Sequence, residues 1–106
     1  MKKQLCLLLL CCAFAKAVTA QSTSLPGNVI PEFGKTFTVE NPDFKTDTEH
    51  VFKAVFDVAK APEDPSERNR YIETIARFLN MHERAGVPVK NLKVRMAMHG
   101  QAAYGL

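Results

Sequence analysis

Residues His50 to Ala59, HVFKAVFDVA, constrain this chain more than any other segment. Val51, Phe52, Ala54, Val55, Phe56 and Val58 place apolar side chains on both faces of an extended backbone, interrupted by Lys53 and Asp57. A strand of that kind belongs in a parallel sheet covered on both sides. Lys60 to Ser66 (KAPEDPS) carries two prolines and reads as a loop. A helix is predicted from about Glu67 to Ala85, with Gly86 at the left-handed C′ position. Ile72, Ile75, Ala76 and Leu79 recur at helical spacing and form its buried stripe, with Phe78 beside it; Arg68, Arg70, Glu73, Arg77 and Glu83 form the wetter side. Pro88 blocks continuation, and Asn91 to His99 (NLKVRMAMH) alternates. Leu92, Val94, Met96 and Met98 share one face of this second strand; Lys93, Arg95, Ala97 and His99 share the other. Gly100 ends it, and Gln101 to Tyr104 begins a second helix. The pattern is one β-α-β unit with parallel strands and a right-handed crossover. The fold class is α/β.

Residues 21–49 are rich in breakers: Pro26-Gly27, Pro31, Gly34 and Asn41-Pro42. They read as an irregular arm, with one short strand over Thr36 to Val39 where Phe37 and Val39 alternate, and the arm lies over its own domain or a neighbouring subunit. Two strands and one helix leave a sheet face uncovered and bury little surface against the ordering entropy of the chain. Either subunits complete the core, or residues 50–106 are part of a longer domain. The second reading is preferred, because the sequence stops where a helix is starting.

Composition describes two objects. The 106 residues hold 14 Lys+Arg against 11 Asp+Glu, a formal charge of +3, and three cysteines. Cys6, Cys11 and Cys12 all fall among the first twelve residues. There a basic start (Lys2, Lys3) precedes an apolar run from Leu5 to Ala15, and Val18 and Ala20 supply small residues before a cut between Ala20 and Gln21. This is the pattern of a signal peptide, residues 1–20, and it implies a periplasmic or secreted protein. The run is too short for a membrane anchor, which needs roughly 20 apolar residues. Cleavage removes Lys2, Lys3 and Lys16 and no acid, leaving 11 basic against 11 acidic side chains and no cysteine. Disulfides, thiol chemistry and cysteine-zinc sites are then excluded. Capture of nucleic acid loses its surplus charge, and no membrane contact is expected after cleavage.

Several stretches resemble the DsrE/DsrF-like family in its secreted bacterial branch. They are Asn41-Pro-Asp-Phe-Lys45, Val55-Phe-Asp-Val58, Lys60-Ala-Pro-Glu-Asp-Pro-Ser66, Ile75-Ala-Arg-Phe-Leu-Asn-Met-His82, Ala85-Gly-Val-Pro88, Asn91-Leu-Lys-Val94 and His99-Gly100. The resemblance implies a three-layer, parallel-sheet α/β domain, of which this chain holds the amino-terminal part, and a tendency to form homo-oligomers. Cytoplasmic members pass sulfur as a cysteine persulfide in the second half of the domain. Here that half and that cysteine are both missing, and Arg95 stands where the second strand calls for an apolar residue. No catalytic residue carries over.

In a parallel β-α-β unit, ligands bind beyond the carboxyl ends of the strands. Asp57 nears that end of the first strand and His99-Gly100 closes the second. Neighbouring strands lie about 4.8 Å apart, so the carboxylate and the imidazole come within reach of each other. Such a pair serves as acid, base or polar anchor, and Gly100 lets backbone N–H groups face a small anion at the next helix start. The alternative is that Asp57 holds the loop and His99 satisfies a backbone carbonyl. His50 and His99 sit at opposite ends of the sheet and cannot share an ion, and His82 near the His50 end makes at best a two-ligand set, so no metal is expected. Met81, Met96 and Met98 read as core filler. No cofactor motif is present. The sequence reading is a secreted, non-catalytic module that binds a small ligand or assembles with itself. The alternatives are the amino-terminal half of a sulfur-relay protein and a truncated product without stable function.

Overall fold

The computed structural model describes residues 23–104. The predicted signal peptide and its cleavage point at Ala20 and Gln21 lie outside the described residues. Strand β1 runs over Phe52–Val58, helix α1 over Arg70–Arg84 and strand β2 over Leu92–Met98. The strands pair in parallel, with Phe52 opposite Leu92 and Val58 opposite Met98. The chain is a small α/β unit with a two-stranded parallel sheet. No helix among the described residues is long and apolar enough to cross a membrane.

Local chemistry sets the helix boundaries. Asn69 stays extended (φ −71°, ψ 109°) and its side chain accepts the Tyr71 N–H at 3.0 Å. That cap, and the donation from Asn69 Nδ2 to the Lys60 carbonyl at 3.0 Å, start α1 three residues later than the apolar spacing predicts. At the other end Gly86 adopts φ 99°. Its N–H donates to the Glu83 carbonyl (2.9 Å) and the Val87 N–H to the His82 carbonyl (3.0 Å), a Schellman ending sealed by the buried Val87.

The sheet is covered on one face only. Phe52, Ala54, Phe56 and Val58 turn toward α1, where Phe56 meets Phe78 edge-on at 5.6 Å between centroids. Lys53, Val55 and Asp57 are exposed. The expectation of a strand buried on both sides is therefore corrected. Val55 is one apolar group among Lys53, Lys93 and Arg95, a set that water solvates better than a packed layer would. Val58, Ala76, Val87, Leu92 and Ala102 are the buried apolar residues of the described chain.

The arm packs on its own helix, across the side that the sequence assigns to water. Asn80 is fully buried and binds the backbone of Ile30, Phe33 and Gly34. Arg84 donates to Thr36 Oγ1 (2.7 Å) and to the Pro26 carbonyl (3.0 Å), and Arg77 Nε donates to the Lys35 carbonyl (3.1 Å). Ile72, by contrast, is 38% exposed and leaves the predicted stripe. The expected strand at Thr36 to Val39 reduces to one antiparallel bridge between Leu25 and Thr36, because the Phe37 N–H is spent on Met81 Sδ at 3.4 Å.

Candidate functional site

The buried Val58 ends β1 and anchors the end of its partner strand. The His99 N–H donates to the Val58 carbonyl at 3.1 Å, extending the parallel ladder one residue past Met98. Gly100 then turns with φ 57°, and the Ala102 N–H donates to the Ala59 carbonyl at 3.3 Å, which draws the chain back across the end of β1. A methyl on Gly100 would lie 3.2 Å from that Ala59 carbonyl, so glycine serves both the positive φ and the close approach.

This geometry brings together the two side chains placed here by sequence. His99 Nε2 and Asp57 Oδ1 lie 2.5 Å apart on the open sheet face. Among the described residues, neither side chain bonds the loop or a backbone carbonyl. Asp57 engages the ring through Nε2, and Nδ1 has no protein partner among the described residues; it is an acceptor on neutral imidazole or a donor on imidazolium. The side chains are 58% and 72% exposed, so the contact contributes about 0–1 kcal/mol to stability. The pair is thus placed but not buried.

The anion seat expected at Gly100 does not form as anticipated. Gly100–Tyr104 is a five-residue 3-10 turn rather than an α-helix, and its Ala102 N–H is already used. Just beyond the carboxyl ends of the strands lies a groove of about 380 Å³, lined by Pro62, Pro65, Ile72, Met98, Gln101 and Tyr104. It opens on the helix side of the sheet, behind Asp57 and His99. Two further grooves, one under Phe37 and Phe44 against the end of α1 and one between Phe33, α1 and β2, also exclude the pair.

The remaining histidines form an aromatic row. Phe52 contacts His50 (4.8 Å) and His82 (4.7 Å), and His82 contacts Phe78 (4.1 Å). His82 Nδ1 lies 2.7 Å from the Phe78 carbonyl, which accepts its hydrogen. No group of three His, Cys, Asp or Glu side chains among the described residues is arranged to hold a metal ion. Met81 and Met98 are half-buried, whereas Met96 is 44% exposed in the groove between Phe33, α1 and β2.

Asn80 is the residue that sequence periodicity misses. Its signal was available: a poor helix former in mid-helix, four residues after Ala76 on the same arc, facing a segment that offers bare carbonyls. No family model, curated protein or solved structure matches the chain.

Proposed function

We propose that this chain is an exported, non-catalytic α/β module of DsrE/DsrF-like type that holds a small ligand on Asp57 and His99. The observation that carries the ligand reading is the 2.5 Å contact between these side chains at the carboxyl ends of two parallel strands. The second imidazole nitrogen suits a carboxylate or phosphate oxygen when the ring is imidazolium and that nitrogen donates, with Asp57 orienting the ring. Binding is favoured over catalysis because the pair lies open to solvent, outside the grooves that would exclude water from a reaction. The parallel β-α-β order supports the family type. The apolar run from Leu5 to Ala15, with the small residues Val18 and Ala20 after it, supports export, and sequencing of the secreted protein should then begin at Gln21.

Calorimetric titration with inorganic phosphate and with acetate tests the site. His99→Ala should weaken the response at least tenfold while shifting unfolding by under about 1 kcal/mol. Equal loss of binding and stability, or no response in the native chain, would count against a site there.

A further inference from the structure

The sheet face opposite α1 is cationic at its amino-terminal half. Lys53 and Val55 of β1 stand beside Lys93 and Arg95 of β2, all exposed, and Val55 keeps 74% of its surface open. Lys53 and Lys93 are direct register partners, a like-charge pairing that disfavours the sheet unless something anionic covers it. Among the described residues, no carboxylate lies within 4.0 Å of these three cations; the one ion pair is Asp57–His99.

The chain carries a surface of matching chemistry elsewhere. From Glu40 to Glu49, four carboxylates (Glu40, Asp43, Asp47, Glu49) stand against Lys45, and every residue is exposed. Phe44 is 92% exposed beside them and Val39 62%. This segment cannot reach its own cationic face. Pro42, Phe44 and Lys45 line a groove with Met81, His82 and Arg84 of α1, which places them on the helix side of the sheet. Its downstream end is held at the amino-terminal end of the sheet: Asp47 Oδ1 accepts the Glu49 and His50 N–H groups at 3.0 and 3.2 Å, and Asn91 Nδ2 donates to the Glu49 carbonyl at 3.3 Å.

We propose that the open sheet face of one copy docks the Glu40–Glu49 segment of a second copy. Phe44 and Val39 settle on Val55 while the acids meet Lys53, Lys93 and Arg95. Because the two surfaces lie on opposite sides of the sheet, the contact is head-to-tail and extends from copy to copy unless a ring closes. It uses the amino-terminal half of the face and does not depend on the ligand reading of Asp57 and His99.

Sedimentation velocity on the full chain tests this. The native protein should associate with rising concentration, and about 0.5 M salt should weaken association by about tenfold or more, since the Debye length falls well below 10 Å. Lys93→Glu with Arg95→Glu, and separately Glu40→Lys with Asp43→Lys, should each dissociate the assembly. An equimolar mixture of the two variants should restore it, each acidic surface now meeting a basic one. The neutral pair Lys93→Gln with Arg95→Gln should give an intermediate weakening with unchanged circular dichroism, which separates lost docking from lost fold. His99→Ala should leave association intact. A native chain that stays monomeric overturns the proposal, as do reversal variants that associate like the native chain or a mixture that stays dissociated. Binding of an anionic polymer to this face without self-association also overturns it.

Discussion

Replacing Asn80 by alanine tests how the arm is held to the helix. The Asn80 side chain is 0% exposed. Its Oδ1 accepts the Ile30 N–H at 2.9 Å, and the two hydrogens of its Nδ2 are shared among the carbonyls of Ile30 (3.0 Å), Phe33 (2.8 Å) and Gly34 (3.0 Å). Alanine strands one N–H and three carbonyls. The Gly34 bond is buried and the others are part-buried. Each unsatisfied buried group costs about 1–3 kcal/mol, and the part-buried ones recover some of that from water, so the expected loss is about 2–4 kcal/mol. For a domain this small that is a large share of a total of about 5 kcal/mol. Urea unfolding at constant m measures it, and amide exchange at Ile30 should accelerate in step. The packing adds an internal control. A methyl on Gly27 would lie 1.9 Å from Asn80 Cγ, so Gly27→Ala is disruptive alone and relieved when Asn80 is already alanine. The double-mutant coupling should exceed about 1 kcal/mol. A loss below about 1 kcal/mol for Asn80→Ala, or strict additivity with Gly27→Ala, would refute the claim that this amide pins the arm.

Gly34→Ala should cost about 2–4 kcal/mol, since Gly34 has φ 64° and an added methyl would meet the Arg77 backbone nitrogen at 2.2 Å; faster proteolysis of residues 23–49 is the readout. Asn69→Ala should remove about 1 kcal/mol through loss of the cap, measured as a lower unfolding midpoint and fraying of the first turn of α1. The Ser66 hydroxyl, and then the Ser66 N–H, hold the Asp64 carboxyl below its ordinary value of 3.8. Because the folded value is lowered, that contribution is present above pH 3.8 and is lost as pH falls through the folded value. In Ser66→Ala the Asp64 titration followed by NMR should move back up part of the way.

Most of the α/β frame is legible in sequence, because periodicity encodes it. The 3.6-residue spacing in α1 and the alternation in β2 each report which side meets a core, and Gly86 marks a helix end that only a left-handed residue closes well. The strand ends then follow, and with them the meeting of Asp57 and His99. The arm is legible as an irregular segment lying over its domain, but its docking contacts are not. Its contacts run from backbone carbonyls to Asn80, Arg77 and Arg84, polar residues that a hydrophobic count assigns to solvent. The same count overstates β1, where apolar residues on both faces suggest two covering layers. Only the register, which sets Val55 against Arg95 and Lys53 against Lys93, shows one face to be charged.

The most direct test of the ligand site is the imidazole nitrogen spectrum of His99, recorded with and without inorganic phosphate. The pairing with Asp57 predicts that Nε2 and Nδ1 of His99 both move on addition of phosphate, and that Asp57→Asn displaces the starting Nε2 position and weakens the response. A His99 ring that stays still while other residues respond, or one indifferent to Asp57→Asn, would contradict the site.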